Sequence, residues 1–142
     1  PSTYRSIYLP IIRDQIPEML SVFDYPDASL VNGDRDSTNV PSQSLYLMNN
    51  PQSQSAADAF AARISKHPGN SAERLSYAYE LAFGREPTNL EKAAIGNFWM
   101  RFPQMVAKSS GGGKDAREKA EFAALSAFCQ SLIASAEFRY LN

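Results

Sequence analysis

At 142 residues, 44% hydrophobic and 20% charged, the chain holds enough apolar surface for one hydrophobic core and is too ordinary in composition for pervasive disorder. A formal net charge of -1, with no cluster of lysine and arginine to neutralise a row of phosphates, argues against nucleic-acid binding. No apolar run approaches the roughly 20 residues that a membrane-crossing helix requires, and no basic segment precedes a signal-like apolar core.

In chain order, prolines 10, 17 and 26 remove backbone donors and fix φ, so no long helix is expected before residue 27. Arg5 to Ile12 reads as extended. Pro17 suits the first position of a short helix, Glu18 to Phe23. Asp24 to Pro41 reads as a polar loop, with turn chemistry at Asn32-Gly33-Asp34. Pro41 starts a helix through Leu45, Leu47 and Met48, and Pro51 restarts it into Gln52 to Lys66, where Ala56, Ala57, Phe60, Ala61 and Ile64 form one stripe. His67-Pro68-Gly69 ends that helix.

Asn70 with Glu73 makes a capping-box start, and Leu75, Ala78, Tyr79, Ala82 and Phe83 follow at helical spacing. Gly84 supplies a left-handed helix end. Thr88 with Glu91 makes a second capping box, and so short a loop predicts two helices packed nearly antiparallel. The next apolar face is Leu90, Ala94, Ile95, Phe98, Trp99 and Phe102, with a kink or stop expected at Pro103. Lys108 to Lys114, rich in serine and glycine, reads as a flexible connector. Asp115 and Glu118 open a last long helix whose face is Phe122, Leu125, Phe128, Cys129, Leu132, Ile133 and Ala136. The expected fold is therefore all-α: an irregular helical bundle of about four longer helices (residues 41–142) behind an extended, proline-punctuated N-terminal arm (residues 1–40), in a single domain. The start at Pro1, without methionine, is read as that of a piece of a longer protein.

One histidine, His67, and one cysteine, Cys129, are too few for a zinc site, a Cys-His pair with an orienting group or a c-type haem attachment. Gly111-Gly112-Gly113-Lys114 fails as a phosphate loop, because Lys108 and Asp115 stand where glycine and Ser or Thr are needed. Asp34 to Asn39 begins like a calcium loop but has Asn39 at its sixth position and Leu45 at its twelfth. The reading preferred for these acids is a salt-bridge and cap network holding Arg35, with an irregular cation site that uses them and distant ligands left open. No serine has the context of a nucleophile, and Ser131 reads as a helix-surface residue. Trp99, Tyr77, Tyr79 and Phe98 read as core rather than as a sugar platform, and His67 as a solvent-facing helix-end residue.

Arg5-Ser6-Ile7-Tyr8-Leu9-Pro10, Pro17 to Leu20, Phe23-Asp24 with Pro26-Asp27, and Pro41-x-Gln43-x-Leu45 running into Met48-Asn49-x-Pro51 form one set of phrases. Gly84-Arg85-x-Pro87-Thr88 and Ser135-x-Glu137-Phe138-x-Tyr140 complete it. Together they resemble a planctomycete domain-of-unknown-function family, number 1553. The resemblance implies the C-terminal domain of a large exported protein, an extracytoplasmic setting, and an upstream domain of the same polypeptide as partner. No cofactor is expected in this chain, with haem possible on a separate cytochrome-c-like domain, and the resemblance supplies no catalytic residues.

The expectation is thus a non-catalytic interaction or scaffold domain. A competing expectation is part of a carbohydrate-related hydrolase whose site is shared with the upstream domain, drawn from the polar cluster Asp24, Asp27, Asp34, Arg35, Asp36, Gln43 and Asn49. A third is a redox partner for an attached haem domain. No catalytic or metal-ligating residue is assigned, and the oligomeric state is left open.

Overall fold

A computed structural model of the chain describes residues 8, 11, 12, 15–26, 38, 40–109 and 114–140. Among them the fold is all-α, with helices α1 (Glu18–Val22), α2 (Pro41–Asn49), α3 (Pro51–Ser65), α4 (Ser71–Phe83), α5 (Asn89–Ser109), α6 (Lys114–Ala134) and α7 (Ala136–Arg139). The four longer helices expected from the apolar periodicity are α3 to α6. The chain divides into two compact units, Pro1–Tyr46 and Leu47–Asn142.

In the N-terminal unit, Pro17 precedes α1 and its carbonyl accepts from Leu20 N at 2.8 Å and Ser21 N at 3.1 Å. Asp24 follows the helix with φ +56°, and Tyr25 N donates back to Leu20 O at 2.9 Å. That six-to-one bond around a left-handed residue is a Schellman stop, with aspartate where glycine is usual. Of the segment expected to be extended, Tyr8 lies instead in a 3₁₀ turn, and Gln15 N closes on Ile12 O at 3.0 Å. Positions 5–7, 9 and 10 of that segment lie outside the described residues.

The C-terminal unit is organised around α6, which packs on α3, α5, α4 and α7. Its core joins Ala57, Ala61 and Ile64 of α3, Ala78 and Tyr79 of α4, Ile95 of α5, and Leu125, Phe128, Cys129 and Leu132 of α6. Small residues on α3 let α6 approach closely, and Phe128 fills the space between Tyr79 and Trp99, whose ring centroids lie 6.4 and 6.3 Å away. Asp58 on α3 also accepts a short hydrogen bond from the Ser126 hydroxyl on α6.

The caps form as the sequence predicts. Asn70 Oδ1 accepts from Ala72 N at 2.9 Å and Glu73 N at 3.1 Å, while Glu73 Oε2 accepts from Asn70 N at 2.9 Å. Gly84 ends α4 at φ +70°. The second box closes through Thr88 N to Glu91 Oε2 at 2.7 Å and Glu91 N to Thr88 Oγ1 at 3.3 Å.

Several expectations for the C-terminal unit are corrected. α4 and α5 do not pack closely on each other; each lies against α6. The residues lining the space between them include Ala72, Ser76 and Gly96, which offer little to interdigitate. The inward face of α5 is correspondingly narrower: Ile95 is buried, whereas Leu90 is 84% exposed and Ala94 is exposed. Of the kink or stop expected at Pro103, the stop is overturned: helix α5 continues to Ser109, taking Lys108 with it, because a proline removes one backbone bond while the Ile95, Phe98 and Trp99 face stays anchored. Ala136 belongs to α7, since Ser135 leaves helical geometry at ψ 153° and caps α7 by accepting from Phe138 N at 3.2 Å. His67 is not a freely solvated helix end: its ring stacks on Tyr77 at 4.1 Å, and its Nδ1 is buried without a hydrogen-bond partner.

Candidate functional site

Of the predicted polar cluster, Asp24, Gln43 and Asn49 are described; Asp27, Asp34, Arg35 and Asp36 lie outside the described residues. The left-handed stop of α1 aims the Asp24 carboxylate at Thr38. Oδ2 accepts from Thr38 N at 3.0 Å, and the Thr38 hydroxyl lies 2.8 and 2.9 Å from the two oxygens. Gln43 Nε2 donates to Asp24 Oδ2 and to Thr38 Oγ1, both at 3.4 Å, and Gln43 is the one buried polar residue among those described, at 1% exposure. A carboxylate that takes a backbone N–H, a hydroxyl and an amide fastens two distant stretches of chain. Asn49 ends α2 on an exposed position. Thr38 had no sequence signal, because fourteen residues separate it from Asp24.

In the C-terminal unit, two of the recognised phrases meet. Arg85, just past the Gly84 stop, donates through Nε to Glu137 Oε1 at 2.7 Å and through Nη2 to Glu137 Oε2 at 2.8 Å. Toward α5 it donates through Nη2 and Nη1 to the Glu91 oxygens at 2.8 and 2.9 Å, and Nη1 also reaches Glu86 O at 3.0 Å. All five guanidinium N–H groups are used, and the cation lies 5.4 and 5.5 Å from the ring centres of Tyr79 and Phe83. The paired guanidinium pulls Glu91 down to about 2, with the Thr88 donors adding to the effect, and it also holds Glu137 below the usual carboxylate range. Arg85 is raised by the same two partners. The clamp joins the α4–α5 turn to α7, so this phrase is structural.

Beside it lies a cleft of about 710 Å³ between helices α4 and α5. Leu75, Tyr77, Pro87, Ile95 and Trp99 give it an apolar lining; Glu73, Glu80, Glu86 and Lys92 give it charge. His67 and Asn70 close the end at the α3–α4 turn. Trp99 is thus both core and surface: one edge meets Phe128 at an interplanar angle of 83°, and another part of the residue borders the cleft. Sequence reading missed the cleft because its floor residues, Ala72, Ser76 and Gly96, are small and look like solvent-face positions. The available signal was their helical spacing with Glu80 on α4 and with Lys92 on α5.

Other chemistry is sparse. Cys129 is fully buried, and burial pushes its thiol up to about 12, so it is no thiolate nucleophile at neutral pH. Among the described residues no group of His, Cys, Asp and Glu could hold a metal ion, and no helix is long and apolar enough to cross a membrane. Ser131 is exposed on α6, its hydroxyl donating to Phe128 O at 2.7 Å.

Residues 2–99 match the family described as PSD1, protein of unknown function (DUF1553). That span is more than half of the chain, and the protein belongs to this family; the terminal phrase from Ser135 to Tyr140 lies outside the matched span. No curated protein and no solved structure matches it.

Proposed function

Taking membership of the DUF1553 family as the premise, we propose that this chain is a non-catalytic interaction domain of an exported, multidomain bacterial protein, and that it engages the upstream domain of the same polypeptide. The observation that carries the reading is the α4–α5 cleft: an apolar, aromatic-lined trough on rigid helices, with a charged rim. Such a surface recognises by shape and charge. The extracytoplasmic setting follows from the family resemblance, as does the placing of any haem on a separate domain.

The hydrolase reading draws on the Asp24 cluster, and there the geometry favours a structural role. Asp24 accepts three kinds of donor from Thr38 and Gln43, and Gln43 is buried. A general acid and base pair needs two carboxyl groups in different environments facing one substrate.

The upstream region of the gene product, purified separately, provides the test. Isothermal titration and size-exclusion chromatography with this domain should show a one-to-one complex. No association at high micromolar concentration overturns the proposal. Polysaccharide cleavage by the joined regions, lost on Asp24→Asn with the fold intact, would transfer the case to the hydrolase.

A further inference from the structure

We propose that the α4–α5 cleft is a docking groove for a basic, amphipathic peptide segment of a partner polypeptide; this rests on the interaction reading and names the partner's chemistry.

Shape comes first. The cleft, about 710 Å³, is an open trough between two helices that both lean on α6. Small-molecule sites enclose most of their ligand, whereas a trough along helices suits a length of chain that lays apolar side chains into it. The floor gives a second argument. Gly96 stands in the middle of α5, and beyond its own stretch of helix no atom of the described residues lies within 4 Å of where its Cβ would be. A glycine inside a helix costs stability relative to alanine, and here no neighbour of its own chain requires the space. What it does allow is close approach of another backbone. The walls are rigid aromatics: Trp99 is braced by Phe128 and by Phe98 at 6.3 Å, and Tyr77 by the stacked His67.

Charge selects the occupant. Glu80 and Glu86 are exposed on the rim and make no ion pair among the described residues, and the Glu73 carboxylate adds a third negative group at the far end. Among the described residues, Lys92 is the one lysine or arginine lining the cleft. The excess is negative, so the complementary segment places lysine or arginine beside its apolar residues.

Three synthetic peptides of one amphipathic helical pattern, Lys/Leu, Gln/Leu and Glu/Leu, provide the probes. Labelled-peptide anisotropy reads binding, and the emission of Trp99, the only tryptophan, reads location. The Lys/Leu peptide should bind saturably and shift Trp99 emission, with Gln/Leu weaker and Glu/Leu silent. Glu80→Gln with Glu86→Gln should weaken Lys/Leu binding by roughly tenfold. Gly96→Leu, which raises helix propensity while filling the floor, should abolish it. Leu90→Gln, exposed on α5 and away from the cleft lining, should leave it unchanged. Equal binding of the Lys/Leu and Glu/Leu peptides, an unmoved Trp99 signal, or full binding by Gly96→Leu overturns the proposal. Upstream-region binding that survives Gly96→Leu would sink this groove alone and leave the interaction reading standing; no upstream binding, with the Lys/Leu peptide bound, would do the reverse.

Discussion

Replacing Asn70 by alanine removes the acceptor that serves two backbone donors at the start of α4, Ala72 N at 2.9 Å and Glu73 N at 3.1 Å. The return bond, from Asn70 N to Glu73 Oε2, uses only the backbone of residue 70 and survives the change. Asn70 is exposed, so water partly replaces the lost acceptor and the cost stays near the usual N-cap value of about 1 kcal/mol. With the C-terminal unit, residues 47–142, as the cooperative unit, the unfolding entropy is about 0.2 kcal/mol per kelvin, and the melting temperature should fall by about 5 °C. Asn70→Asp keeps an acceptor and adds negative charge where the helix dipole favours it, so it should melt no lower than the parent. Thermal unfolding followed by far-ultraviolet circular dichroism separates the two. If Asn70→Ala and Asn70→Asp lose the same amount, the cap does not hold α4 and the argument is wrong.

Phe128→Ala should cost about 3–5 kcal/mol in urea unfolding, because the ring is 6% exposed and sits between Tyr79 and Trp99; a loss below about 1 kcal/mol would contradict the core assignment. The two glycines should respond in opposite directions: Gly84→Ala, at φ +70°, should destabilise by roughly 1 kcal/mol, and Gly96→Ala should stabilise by roughly 0.5–1 kcal/mol. Glu91 and Glu137 both have lowered folded-state values, so the clamp's contribution is complete above the ordinary carboxylate range and is lost as pH falls toward about 2, where Glu91 takes up its proton. In an acid titration followed by stability, Glu91→Gln should flatten that loss; an unchanged profile would show that the pair does not govern it.

Local chemistry in the sequence placed most of the helices, because it acts over three or four residues. Both capping boxes, the Gly84 stop and the Pro51 restart were readable as spacing, and so was the buried stripe of Ala57, Ala61 and Ile64. Where the expectation failed, a distant partner decided. Helix α5 outlasts Pro103 because its apolar face rests on α6, and α4 parts from α5 because it rests on α3, α6 and α7 instead. The same holds for the polar residues. Asp24 finds Thr38 fourteen residues on, and Arg85 finds Glu137 at a separation of 52, contacts that no periodicity encodes. The cleft was hidden for a related reason: it is made by the side chains that Gly96, Ala72 and Ser76 lack.

The central place of α6 bears on how the protein should be cut for expression. The family match ends at residue 99, part-way along α5, while the helix that covers Ala57, Ala61, Ile64 and Tyr79 begins only at Lys114. A piece trimmed to the recognised span would carry the apolar stripes of α3 and α4 with nothing laid over them, and should aggregate. The boundary of the family match and the boundary of what can fold are different places in this chain.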